Sequence, residues 1–193
     1  MEALIQYFSQ SLALNRAEKE ALRTLVPVRQ VPKGAYLLRE GEISHEFFFI
    51  LKGCIRLFYR LDPEEKTAFF YTENQFVSAY ESYTRQLPSR HSFQALEDTE
   101  VAVISRELAS DLLARFPRFE WLARLAMEQE LIVYQEVIST FVLMNPEERY
   151  RNLLQRQPDL IQRIPQHYLA TFLGVAPETL SRIRKRVADK DRS

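Results

Sequence analysis

The chain of 193 residues is poor in the side chains that build metal and redox centres: it has one cysteine and three histidines. Cys54 alone can close no internal disulfide and hold neither zinc nor an iron–sulfur cluster. On a strand it reads as a buried small hydrophobe rather than a reactive thiol. His45, His91 and His167 are too far apart in sequence for a metal-spaced cluster. The pair His45-Glu46 is all the chain offers towards a cupin-type metalloenzyme, so no catalytic residue and no metal ligand is assigned and an enzyme is not expected. Long hydrophobic runs are missing too. No stretch approaches the roughly 18 apolar residues of a membrane span, and no basic start leads into an apolar segment as in a signal peptide. A cytoplasmic protein without a membrane partner is expected. A surplus of charge of one sign is the last absence, with 26 basic and 26 acidic side chains. Together with a hydrophobic content of 46%, this excludes a self-repelling disordered chain.

The balanced charge is unevenly placed. Residues 1–144 carry 16 basic against 20 acidic side chains, and residues 145–193 carry 10 against 6. A basic tail on an acidic remainder suits contact with nucleic acid, and it equally suits an unevenly charged solvated surface. Apolar residues at helical spacing (Leu4, Phe8, Leu12, then Ala21, Leu22, Leu25) predict one or two short helices at the start. From Val28 to Ile104 short β-branched and aromatic runs alternate with turn signals: Pro32-Lys33-Gly34, Glu40-Gly41, Lys52-Gly53 and Asp62-Pro63-Glu64-Glu65. Phe47 to Leu51 is continuously apolar, Cys54 to Tyr59 alternates with Arg56 in between, and Val101 to Ile104 closes the series. Such spacing predicts an all-β sandwich or barrel, economically closed as a jelly roll.

After Ser105 the helical period returns. Glu107 to Arg115 predicts a short helix ending near Phe116-Pro117. Residues 119–143 then run about seven turns without Gly or Pro. Met127, Leu131, Tyr134, Ile138 and Phe141 follow one another at spacings of four, three, four and three, the pattern of a coiled-coil seam. A core helix within one chain shows the same spacing; the width of the stripe, flanked by Leu125, Ile132, Val137 and Val142, favours a homodimer. Asn145-Pro146 breaks this helix, and Pro146-Glu147-Glu148 starts another, with proline in the first turn and acids at the positive dipole end. The expected organisation is α+β: a jelly-roll-like β-roll with flanking helices and a long dimerisation helix (1–144), then an all-α domain (145–193).

That small domain carries the sharpest signal. Leu169, Leu173, Val175, Leu180 and Ile183, with Ala170 and Gly174 among them, have the spacing of a helix-turn-helix. Ala170 is small where the second helix crosses, and Gly174 falls where the turn needs a positive backbone angle. Pro177 and Glu178 suit the start of the second helix, whereas Ala176 makes a poor N-cap. The exposed face of that helix presents Glu178, Thr179, Ser181, Arg182 and Lys185. Glutamate accepts from a cytosine amino group and arginine grips guanine through two hydrogen bonds. Arg184, Lys185 and Arg186 are better placed for phosphates, which add affinity without sequence preference. A plain helical hairpin is the alternative, and the number of constrained positions in one register disfavours it.

The segment Gly174-Val175-Ala176-Pro177-Glu178-Thr179-Leu180-Ser181-Arg182-Ile183 resembles the recognition segment of the Crp/Fnr family of bacterial transcription regulators. The resemblance runs over essentially the whole chain: a cyclic-nucleotide-binding-type β-roll, a long dimerisation helix and a C-terminal helix-turn-helix. Gly34, Gly41 and Gly53 fall at that roll's turn glycines, and Phe47-Phe48-Phe49-Ile50-Leu51-Lys52-Gly53 resembles its central hairpin. The resemblance implies a homodimer on double-stranded DNA, with RNA polymerase a further candidate partner and Glu178 and Arg182 as base readers. Pro177 stands where the family has an arginine. The β-hairpin wing found after the recognition helix in many relatives is not expected before Ser193.

In that family a Gly-Glu pair after a Phe and an Arg before a small residue hold the cyclic nucleotide. Aligned on Phe76 and Ala95, this chain has Ser78 and Ala79 at the pair and Ser89 at the arginine, with Arg90 one place late. A ribose hydroxyl left without its acceptor costs about 1–3 kcal/mol, and a displaced phosphate partner costs more. Tight cyclic AMP binding is therefore not expected and no cofactor is predicted. The pocket is left to an unidentified small-molecule effector or to none. The competing functional reading is a sensory or scaffolding protein that works through its β-roll while the helical tail contacts protein.

Overall fold

A computed structural model of the chain describes residues 1–190. In chain order the elements are α1 (Glu2–Ser9), α2 (Arg16–Leu25), β1 (Val28–Val31), β2 (Tyr36–Leu38), β3 (Glu46–Lys52), β4 (Ile55–Leu61), β5 (Glu64–Tyr71) and β6 (Phe76–Val77). They continue with α3 (Tyr80–Arg85), β7 (Ser92–Ala95), β8 (Thr99–Ser105), α4 (Arg106–Arg115), α5 (Arg118–Leu143), α6 (Pro146–Arg156), α7 (Pro158–Arg163), α8 (Gln166–Phe172) and α9 (Pro177–Lys190). The class is α+β, with two four-stranded sheets ordered β1-β8-β3-β6 and β2-β7-β4-β5. Two compact units result: Met1–Leu57 with Phe70–Glu130, and Phe58–Phe69 with the chain from Leu131 onwards.

In the first unit the unbroken run Phe47 to Leu51 is explained by burial of both faces of β3. Phe49 lies opposite Ala102 of β8 and Phe76 of β6, and all three belong to a cluster with residues of α1, α2, α4 and α5. Phe48 lies opposite Val77 and Val103 and is buried with them on the other face. A strand covered on both sides has no polar face to alternate with. Each such side chain taken out of water contributes about 1.5–3 kcal/mol. Tyr7 and Phe76 set their rings edge-on to Phe49, at 5.4 and 5.0 Å between centroids.

The N-terminal helices are held by polar detail as well. Asn15 caps α2: its Oδ1 accepts from the Glu18 N–H at 2.9 Å, and Glu18 Oε2 accepts from the Asn15 N–H at 2.8 Å. Glu18 is buried, and it also receives Arg118 at 3.2 Å, so one carboxylate fixes the start of α2 and the first turn of α5. The hairpin from β3 to β4 turns at Gly53, whose φ is +109° and whose N–H donates to Glu73 Oε1 at 2.8 Å. Arg56 departs from the expected alternation of its strand. It is 1% exposed, and its Nε and Nη2 both donate to Gln94 Oε1, at 3.1 and 2.9 Å.

Candidate nucleic-acid interface

In the second unit α8 and α9 form a helix-turn-helix whose core is Leu169, Ala170, Leu173, Leu180, Ile183 and Val187, all buried. The Val175 N–H donates to the Ala170 carbonyl at 3.0 Å and the Gly174 N–H to the Thr171 carbonyl at 3.1 Å. These are the two bonds of a Schellman ending, which needs a left-handed residue at the position Gly174 occupies with φ +71°. Arg149 of α6 completes the turn. Its Nη2 donates to the Leu173 carbonyl at 2.9 Å and its Nη1 to the Met144 carbonyl at 2.8 Å, while the guanidinium lies 4.7 Å from the Phe141 ring centroid. A cation thus stands at the negative end of α8. Upstream, Asn145 caps α6, accepting from the N–H groups of Glu147 and Glu148.

The burial of Leu180, Ile183 and Val187 decides what α9 shows to solvent. Glu178, Arg182 and Lys185 share the opposite face, one or two turns apart, with Ser181 beside them. Glu178, Ser181, Arg182, Arg184, Lys185 and Arg186 are exposed and Thr179 is half-buried. Three of these side chains are already engaged. Ser181 Oγ accepts from Gln166 Nε2 at 2.7 Å, and Arg182 Nε reaches the Glu178 carbonyl at 3.4 Å. Arg186 donates to Glu147 Oε2 at 3.0 Å, and Lys190 to Glu147 Oε1 at 3.0 Å. The hydrogen bond from Lys190 lowers the Glu147 pKa below its ordinary value, burial pulls the other way, and Arg186 lowers it further.

Glu147 and Arg149 were outside the reach of sequence reasoning. Glu147 reads there as an acid at a helix start, which it is, and Arg151 stands one turn on at 3.6 Å, but the two cations that hydrogen-bond to it lie about forty residues downstream. The same unit includes the far ends of β4 and β5. The Thr67 N–H donates to Thr171 Oγ1 of α8 at 3.3 Å, and the two hydroxyls are 3.1 Å apart.

In the first unit Phe76 faces the helical cluster, whereas Ser78, Ala79 and Ser89 are buried and Arg90 is exposed. The Ser89 hydroxyl donates to the His91 carbonyl at 2.8 Å; the Ser78 hydroxyl has no hydrogen-bond partner among the described residues. Burial pushes the His91 pKa down, against a weaker opposing effect of Glu81. Along α5 only Phe119 and Leu122 are buried. Met127, Leu131, Tyr134, Ile138 and Phe141 all remain exposed, Leu131 at 58% and Ile138 at 62%. Among the described residues no group of His, Cys, Asp and Glu is arranged to hold a metal ion, and no helix is long and apolar enough to cross a membrane.

Residues 28–116 match the cyclic nucleotide-binding domain family. The transcriptional activator protein Anr of Pseudomonas protegens is 26% identical over 186 residues, covering 89% of this chain and 75% of Anr. FixK2 from Bradyrhizobium japonicum shares the fold at a TM-score of 0.73 and 15% identity, over 86% of each chain. The catabolite activator protein of Thermus thermophilus does so at 0.53 and 24% identity, over 96% of this chain and 88% of that one. The fold and the matched segment define a protein built on a cyclic nucleotide-binding domain. The long helix and the helix-turn-helix that follow extend the likeness to Anr beyond that segment.

Proposed function

We propose that the chain is a cytoplasmic, homodimeric transcription regulator that reads an inverted-repeat operator through α9, with RNA polymerase as a further partner. The observation that carries the reading is the exposed face of α9. Glu178, Arg182 and Lys185 are aligned on it and held at a fixed angle by a buried core and a capped turn. The relative Anr, named a transcriptional activator, supports a regulator rather than an enzyme. The stripe from Met127 to Phe141 supplies a dimer seam, and two copies of α9 would enter successive major grooves about 34 Å apart. Glu178 and Arg182 read base edges, Thr179 and Ser181 sit at their margin, and Arg184, Lys185 and Arg186 meet phosphates. The roll residues Ser78, Ala79, Ser89 and Arg90 do not supply the acceptor and cation that cyclic AMP needs, so DNA binding proceeds without it.

Selection of random duplexes by the purified protein, with no ligand added, tests this. An enriched inverted repeat is expected. Arg182→Ala should weaken binding to it by about 1–3 kcal/mol, roughly five- to 150-fold, while barely changing binding to unrelated DNA. No enrichment, with Arg182→Ala indistinguishable from the parent on every duplex, would hand the function to the β-roll and make the tail a protein-contacting element.

A further inference from the structure

The first unit contains a recess of about 310 Å³ that lies on the helical side of the sheet and not inside the roll. One wall is a continuous face of α5, with Phe119, Leu122, Ala123, Ala126, Met127 and Glu130 at the spacings of a single helix stripe. Ala109, Leu112 and Leu113 of α4 form the second wall, and Phe47, Phe76 and Ile104 of the sheet form the floor. The space exists because three positions that could fill it, 109, 123 and 126, are alanine. Leu22, Leu112, Phe119 and Leu122, which line it, are buried core residues, so this is an indentation in the core and not a flat apolar face.

Native interiors leave few voids larger than a water molecule, and a water needs two to four polar partners to stay in one. Here the lining is almost wholly carbon, so water has little to bond to. An engineered apolar cavity of about 150 Å³ takes up benzene, and twice that volume accommodates two fused rings or an alkyl chain of about ten carbons. Glu130 is the one charged residue of the lining, and with no cation among the lining residues an anionic head group would be buried without a partner.

We infer that this recess is a binding site for an uncharged apolar small molecule, of fused-ring or medium alkyl-chain size, and that fatty-acid-like anions are excluded from it. Occupation would brace α4 and the first half of α5 against the sheet. The inference does not depend on the DNA-binding reading, because its test uses no DNA.

The probe is N-phenyl-1-naphthylamine, which is uncharged and brightens in apolar surroundings, titrated into the full chain. One saturable site per chain is expected, with 1-decanol displacing the probe and decanoate displacing it at least tenfold less effectively. Ala126→Phe should fill the space and weaken the probe at least tenfold. Ala123→Leu is the smaller filling variant should the first not fold, and circular dichroism checks both. Trp121→Ala, exposed on α5 and outside both the recess lining and the seam, should leave the probe's affinity unchanged. No saturable binding, binding that survives both filling variants, equal displacement by decanoate, or loss of binding in Trp121→Ala would each overturn the assignment.

Discussion

At Gly53 a side chain has nowhere to go. An added Cβ would stand 2.7 Å from the Thr99 Cα, on a backbone whose φ of +109° L residues rarely adopt. Steric overlap against main chain cannot be relieved by a rotamer change, so Gly53→Ala should lower unfolding free energy by about 2–4 kcal/mol, read from urea denaturation followed by fluorescence. The need for glycine here was legible as a turn between two apolar runs; the identity of the obstacle, on a strand forty-six residues later, was not. Arg56 shows the limit from the other side. Period-two reasoning assigns a charged residue within a strand to solvent, yet its guanidinium is enclosed and held by Gln94. The partner that makes burial tolerable comes from β7, and nothing around position 56 announces it.

Between elements, the contact of α6 with α9 through Glu147 has a pH signature. A carboxyl whose folded pKa lies below its ordinary value contributes stability above the ordinary carboxylate range. That contribution is lost as pH falls through the lowered value. Glu147→Gln should therefore lower Tm at neutral pH, and the gap from the parent should close in strongly acidic solution, as scanning calorimetry across pH would record. Long periodic elements were read well. The helix over 119–143 is α5, Arg118–Leu143, and the predicted short helix before it is α4. The six-residue helices α3 and α7 and the two-residue β6 were not foreseen, since pieces so short have too few residues to display a period and form because neighbours pack them. The candidate interface shares this division. The alignment of Glu178, Arg182 and Lys185 follows from sequence spacing, whereas the engagement of Arg186, Ser181 and Lys190 depends on residues from α6 and α8.

At the scale of the whole molecule, α5 leaves an apolar stripe uncovered within one chain, Leu131, Ile138, Val142 and Leu143 among its members. Pairing two such stripes would bury that surface at about 25 cal/mol per Å². A charge placed in the seam should undo the pairing: Ile138→Glu is expected to shift the sedimenting species from dimer to monomer with little change in helicity, and a parent that sediments as a monomer would count against the seam. The division into units has another consequence. The chain passes between them at three places, after Leu57, after Phe69 and after Glu130, so the unit containing the helix-turn-helix is assembled from two separate stretches of gene. Thr67 and Thr171, which bond to each other within it, are encoded on opposite sides of the sequence from Phe70 to Glu130. A single recombination point cannot deliver that unit whole. Exchange of a terminal cassette between relatives would leave the β4–β5 tip mismatched to its new α8, which ties the inheritance of the helix-turn-helix to that of the sequence inside the first unit.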